Sequence, residues 1–566
     1  MPLKPIFDKA PLTAMTCQPL SAGMVRSNNP RLRQLAAIAA ADPHPAALEG
    51  AFRMACLMSN EPAEGEAAAR IRMALSAQKP DGSFDMPVAD AVAVLRACWA
   101  LYECEARKPL LEHIVRWCAW AASNWETVIA DDQVWAAPAD LMELLENLYR
   151  VTGKAALLTL VDRLAGHTMA WSSVLNTVNS QRPTSRSITR EELDTCLAIE
   201  QGNREGYYNH FIRTNSPEAL ADGARAAMAR GWHSGSATEL HAARTGWERL
   251  SRYHGAVCGG LTSGEMLEGT SPSAPVSTAA IGAWLEALSV AVCDKQAEWA
   301  WEAMERMAVN AVPAAIQESG VLDFQRVNAL TANPDAKDCF RVGEAHDARA
   351  VRRLARGCAA LSHSAVTARP NGFDVNLYIP GRYVVPVGDG LLVLTVRGSE
   401  GQCTIQVNCK QELKAAVRLR VPSWTRNTEI TVNGMESDAG KECSAARMTI
   451  ERTWHDGDVI AVSLEETLRV FDGHHQGKYV MKGPRLMAMP VEEGSDWAKS
   501  LLGCTLSDGV VTARMDEVPG WKRKGDVPAD VPVLPVASGK EPEAVTLVPY
   551  AGTAARIALF PWRNAE

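Results

Sequence analysis

The sequence predicts a multidomain α and β protein. An N-terminal (α/α)6 toroid, residues 1–369, is followed by C-terminal antiparallel β-sandwich domains, residues 370–470 and 471–566. The last segment is either a second sandwich or an extension of the first. Three observations predict this arrangement. The chain has 566 residues, whereas a single core stops growing at about 250–300. Before residue 370 apolar side chains recur at helical spacing, and after it they alternate.

In the first half, LMELLENLYRVTG (141–153) and AAIGAWLEALSVAV (279–292) place apolar residues three and four apart, and Gly153 and Gly255 read as helix stops. The pattern repeats over roughly ten to twelve helical segments. No fixed repeat length accompanies it, which favours a closed ring of antiparallel helices over a solenoid. In the second half, VVPVGDGLLVLTVRG (384–398), CTIQVNC (403–409), AAVRLRVPSW (415–424), TEITVNG (428–434) and DVIAVSLE (458–465) read as strands. Asn433-Gly434, Asp456-Gly457 and Asp472-Gly473 supply hairpin turns between them. A Pro-, Gly- and Lys-rich stretch (519–542) reads as an exposed loop before a last strand pair, 544–550 and 555–562.

Bulk properties exclude several partners. Lys plus Arg is 58 and Asp plus Glu is 66, a net charge of −8, so there is no electrostatic footprint for nucleic acid or anionic lipid. No run of about 18 apolar residues appears, so no membrane span is expected. The opening MPLKPIFDKAPLTAMTC lacks the apolar core of a secretory signal. The 14 cysteines are scattered singly, which fits reduced thiols and a cytoplasmic protein. Oligomeric state is nearly silent in the sequence, and a homo-oligomer is compatible with it.

Ordered blocks carry more specific information. They include YHG…GG…GE (253–265), STAAIGAW (277–284), MERMAVNAV (304–312), DFQRVNAL (323–330), HDARAVRRLA (346–355) and DVNLYIPG (374–381). VRLRVPSW (417–424), GPRLMA (483–488) and LVPY (547–550) follow, while LYRVTG (148–153), HFIRTN (210–215) and ADGARAAM (221–228) precede. In this order they resemble the β-L-arabinofuranosidases of glycoside hydrolase family 127 from about residue 135 onward. The resemblance implies a zinc-bound cysteine thiolate as nucleophile, with ligands from a Glu-Thr-Cys block and a Cys-Cys pair, and a Gly-Glu block as acid/base. Gly264-Glu265 matches the last. The Glu-Thr-Cys block reads Val276-Ser277-Thr278, and the Cys-Cys pair falls near Val342-Gly343, with a single Cys339 close by. Zinc needs three or four converging N, S or O ligands, and valine offers none. No metal and no cofactor are therefore expected, and carboxylate chemistry replaces the thiolate. Two substrate-facing histidines of the family align with Asp140 and Asp222.

Glu265, in CGGLTSGEMLEG, is the expected catalytic acid; read on spacing alone, it is a solvated loop carboxylate, with Glu268 as its substitute. Asp222 or Asp140 is the expected second carboxylate, about 5 Å away for a nucleophile or about 6.5–9.5 Å away for an activated water. Each also fits a helix N-cap, and Arg225 stands one turn after Asp222. His210 and Arg213 in YYNHFIRTN suit hydroxyl recognition, or a structural hydrogen bond. Tyr253 and His254 precede the Gly-rich loop and reach toward a pocket. His346, with Asp347, is a pocket pair or a cap. Trp135, beside Asp131-Asp132, is a sugar platform or core packing. His474-His475 reads as a surface turn. The leading expectation is a glycosidase releasing a terminal furanose or deoxy sugar from an oligosaccharide. A uronate lyase with a Tyr or His base and an Arg213 clamp is the alternative, and a non-catalytic sugar-binding relative is the third.

Overall fold

The computed structural model describes residues 15–329 (except 179, 201–205, 265, 295 and 296), 347–491 (except 400, 437–445, 475 and 476) and 546–560, with the backbone of three short strands between 502 and 544. Twelve of the described helices organise the first part: α1 (Pro30–Ala40), α2 (Leu48–Leu57), α3 (Glu61–Ser76), α4 (Val88–Glu105), α5 (Lys108–Ser123), α6 (Ala139–Thr152), α7 (Ala156–His167), α8 (Pro217–Ser234), α9 (Ala237–His254), α10 (Thr278–Ala291), α11 (Glu298–Arg306) and α12 (Asp347–Ser364).

Local sequence sets their ends. Asn29, Asn60, Ser216 and Ser277 each accept a backbone N–H in the first turn of α1, α3, α8 and α10, with proline at the first or second helical position in the first three. Gly153 and Gly235 end α6 and α8 at φ +74° and +70°, a left-handed backbone that costs glycine nothing. The even-numbered helices pack each on the next, and α12 returns onto α2, so the six close on themselves. The odd-numbered helices lie outside, against their even neighbours. The tightest approach is between α10 and α12. A Cβ on Gly357 would stand 2.4 Å from the Gly282 carbonyl oxygen, and one on Gly282 would stand 2.3 Å from that of Arg353.

The second part is built on two large sheets. A five-stranded sheet runs in the order Gln18–Pro19, Val366–Arg369, Gly372–Val375, Leu413–Arg420, Arg447–Trp454. A seven-stranded sheet runs Met435–Glu436, Thr428–Val432, Val459–Leu464, Gln402–Cys409, Gly390–Ser399, Gly381–Val387, Val25–Arg26. The seven-stranded sheet is antiparallel throughout, as the alternating pattern predicts. In the other, Leu413–Arg420 lies parallel to Gly372–Val375, because the chain leaves for the second sheet and re-enters beside the strand it left. The N-terminal strands are absent from the composition signal, yet they join both sheets, with Pro19 opposite Thr367 and Val25 opposite Tyr383.

A third sheet, centred on Lys478–Lys482 and Arg485–Pro490, docks on the helical part. Asn310 accepts the Leu486 N–H at 2.8 Å and donates to the Pro484 carbonyl at 3.0 Å. His474, expected in a surface turn, is half-buried in the turn between two strands of this sheet, where it meets Thr270 Oγ1 of the Gly-rich loop at 2.8 Å. The 519–542 stretch lies outside the described residues. Arg420, fully buried on the five-stranded sheet, donates to Glu298 at 2.5 Å and Glu305 at 3.2 Å on α11, which ties sheet to ring.

Candidate active site

Facing side chains of the inner helices fill the middle of the ring with charge. Asp140 accepts from Arg356 at 2.7 and 3.0 Å and from Arg225 at 2.8 Å, and pairs with Arg96 at 3.1 Å. Glu143, one turn on, accepts from Arg225 at 2.7 and 2.6 Å and from Arg96 at 2.8 Å. Glu49 takes a second Arg96 bond at 2.8 Å, and Glu286 takes one from Arg356 at 2.8 Å. Burial opposes ionisation of Asp140, but the guanidiniums of Arg356, Arg96 and Arg225 hold its carboxyl well below the usual range. Beside this network a cavity of about 200 Å³ remains, lined among others by Arg53, Trp99, Glu103 and His363.

Toward the N-terminal end of α8 the pairs continue. Asp222 is chelated by Arg353 at 2.6 and 3.1 Å and touched by Arg225 at 3.2 Å. Glu218 pairs with Arg349 at 3.0 Å. Nearby, the Arg213 guanidinium lies over the Trp135 ring, 5.6 Å from its centroid.

The Gly-rich loop that follows α9 is pinned from several directions. His254 is fully buried. Its Nδ1 accepts the Gly269 N–H at 3.0 Å, so Nε2 carries the proton and donates to the Ser180 carbonyl at 2.8 Å. Burial lowers its pKa, which keeps the ring neutral. Leu267 donates to the Asn215 carbonyl at 2.9 Å and accepts from Thr184 N–H at 2.8 Å, while Ser263 N–H donates to Pro275 at 2.6 Å. Gly259 takes φ +104°, where a Cβ would also meet the Met307 nitrogen at 2.9 Å. Glu265 itself lies outside the described residues, but both of its flanks are fixed.

The expected residues separate into three groups. Arg213 and Trp135 come together as a cation–aromatic pair. Asp140 and Asp222 cap no helix, and every oxygen they present accepts from arginine. His254 is a loop clamp, since both ring nitrogens are engaged. His210 is exposed and lines a separate cleft of about 600 Å³ with Tyr207, Phe211 and Asn215. Tyr253 is half-buried in the last turn of α9, and Glu268 accepts from Ser185 at 2.8 Å. His346 and Cys339 lie outside the described residues.

The arginine ladder was missed, although its signal is visible: Arg353 and Arg356 stand one turn apart in HDARAVRRLARG, as Asp140 and Glu143 do in ADLMELLE. The donor set at 276–278 does not suit the zinc that the resemblance implies. Val276 is buried and apolar, Ser277 caps α10, and Thr278 is fully buried. Among the described residues no three His, Cys, Asp or Glu side chains converge as metal ligands.

Residues 372–466 match the family profile described as beta-L-arabinofuranosidase, GH127 middle domain. The whole chain is similar in fold to a solved glycoside hydrolase, with TM-score 0.74, 14% identity, and 99% of this chain and 100% of that one covered. It is also similar to the GH127 beta-L-arabinofuranosidase Ara127N of Geobacillus stearothermophilus T6 (TM-score 0.65, 17% identity, 94% of each chain). A further GH127 beta-arabinofuranosidase gives TM-score 0.64 at 13% identity, over 97% of this chain and 98% of that one. No curated protein matches the sequence.

Proposed function

We propose that this chain, a member of glycoside hydrolase family 127 by its middle domain and its end-to-end fold, is a glycoside hydrolase that removes a terminal sugar from an oligosaccharide. The reading takes the closed helical ring as an (α/α)6 toroid whose mouth holds the substrate, and the two large sheets as a β-sandwich that braces it. One observation carries it: the loop bearing Glu265 is fixed on both flanks, and its Leu267 is hydrogen-bonded to the end of the short helix Tyr207–Asn215, which presents Arg213 over Trp135. In this reading Glu265 donates a proton to the departing glycosidic oxygen as the C–O bond breaks. Water then supplies the hydroxyl to the anomeric carbon and returns a proton to Glu265. No step runs through zinc or a thiolate. The arginine-bound aspartates hold the mouth in shape rather than react.

The lyase alternative loses one of its three candidate bases, because both ring nitrogens of His254 are occupied, and keeps Tyr253 and His210. We place the protein in the cytoplasm, a reading supported by ten free cysteines among the described residues.

The test is Glu265→Gln assayed on a panel of aryl glycosides and oligosaccharides. The expected result is a fall in kcat of about 10²–10⁴-fold with binding retained. Turnover by the variant at the parent rate removes Glu265 from the chemistry. Absence of turnover by the parent chain on the whole panel favours a sugar-binding relative.

A further inference from the structure

Arg213 differs from the four arginines that fill the middle of the ring. Arg96, Arg225, Arg353 and Arg356 each hold carboxylates at 2.6–3.2 Å. Arg213 has no such bond to a described residue; its Nε is buried without a hydrogen-bond partner, and its guanidinium rests on the face of Trp135. Asp132 and Asp222 lie close enough to be felt electrostatically, but the Asp222 oxygens are taken by Arg353 and Arg225. Burial is the largest influence on Arg213 and lowers its pKa, and the neighbouring Arg349 adds to this. Arg349 pairs with Glu218 yet keeps half of its side chain in solvent. A half-buried guanidinium held flat on an indole and bound to no described carboxylate favours a planar anion that accepts two parallel bonds. The indole beneath it holds the guanidinium plane in place as a cation–aromatic partner.

We infer that the mouth of the ring takes an acidic sugar, a uronate-type residue whose carboxylate is clamped by Arg213, with Trp135 backing the guanidinium. The inference rests on the glycoside hydrolase reading and narrows its substrate class. Neutral ring-facing hydroxyls need no such clamp, and a phosphorylated sugar would call on Lys or several free guanidiniums, whereas one planar fork beside an indole matches one carboxylate.

The experiment uses the full chain and matched substrates: uronate-containing oligosaccharides from pectin and glucuronoxylan, and the same oligosaccharides after chemical reduction of their carboxyl groups to primary alcohols. Reducing ends released are measured, with ultraviolet absorbance checked for unsaturated products. The parent chain is expected to cleave the acidic forms with kcat/KM about tenfold or more above the reduced forms, since one charge-assisted bidentate contact is lost. In Arg213→Gln that ratio collapses toward one through KM, and Arg213→Lys restores part of it. Equal or better cleavage of the reduced forms by the parent chain overturns the inference and leaves the hydrolase reading standing. If neither form is cleaved, the hydrolase reading fails. Calorimetric binding of galacturonate or glucuronate, abolished by Arg213→Gln, then upholds the clamp; absence of that binding in the parent chain overturns it as well.

Discussion

Asp140 shows how the middle of the ring is held. Three guanidiniums surround it, and its carboxyl is depressed well below the usual range despite the burial that opposes ionisation. Removing one partner of such a set leaves the others charged and unmatched, at a cost of about 3–5 kcal/mol. Asp140→Asn is therefore expected to lower thermal stability sharply at neutral pH. The pH dependence has a definite sign. A depressed folded pKa stabilises above the unfolded value of about 3.9, and that stability is lost as pH falls through the folded value. The gap in unfolding temperature between parent and variant should thus be widest near neutrality and close in acid; a gap that stays constant with pH contradicts the ion-pair account. Sequence reading found Asp140, Asp222 and Arg213 but not the guanidiniums that surround the first. Asp140 and Arg356 are 216 positions apart, and no local pattern announces a partner at that distance. Arg213 and Trp135 were legible because each stands in a polar segment where an aromatic or cationic side chain is conspicuous.

At the scale of elements, the crossing of α10 and α12 is the most constrained contact. Gly357 and Gly282 meet backbone to backbone, where an added methyl has no space. Gly357→Ala is expected to pry the two helices apart at a cost of at least about 1–3 kcal/mol and to move Arg353 and Arg356, which ride on α12. Gly65→Ala is the control: it lies within α3 with open space around its Cβ position and should be neutral or stabilising by about 0.5–1 kcal/mol. Equal unfolding temperatures for the two variants contradict the close approach. The helices themselves were readable from their 3.6-residue spacing and the strands from alternation. Gln18–Pro19 and Val25–Arg26 were not, since a two-residue strand has no period to detect. The parallel pairing of Leu413–Arg420 was hidden for a related reason: alternation reports which face is buried, not which way a neighbour runs.

Considered whole, the molecule is fastened at its N-terminal end. Residues 18–26 leave the ring and add a strand to each large sheet, while Arg420 returns the connection to α11. Deleting residues 1–26 should therefore destabilise sheets and ring together, with a single unfolding transition shifted downward; two separated transitions in the truncated chain contradict that coupling. The same stitching bears on how the protein is made. A ribosome releases Pro19 and Val25 early, but Thr367 and Tyr383 emerge only after every helix of the ring. Arg96 and Asp140 likewise wait for Arg356. Domains that emerge first usually fold first; this chain cannot complete its first-made part until its last helix and the strands beyond it have left the exit tunnel. Its nascent helices must spend most of synthesis with arginines and aspartates unmatched and apolar faces uncovered, a state that holding chaperones recognise.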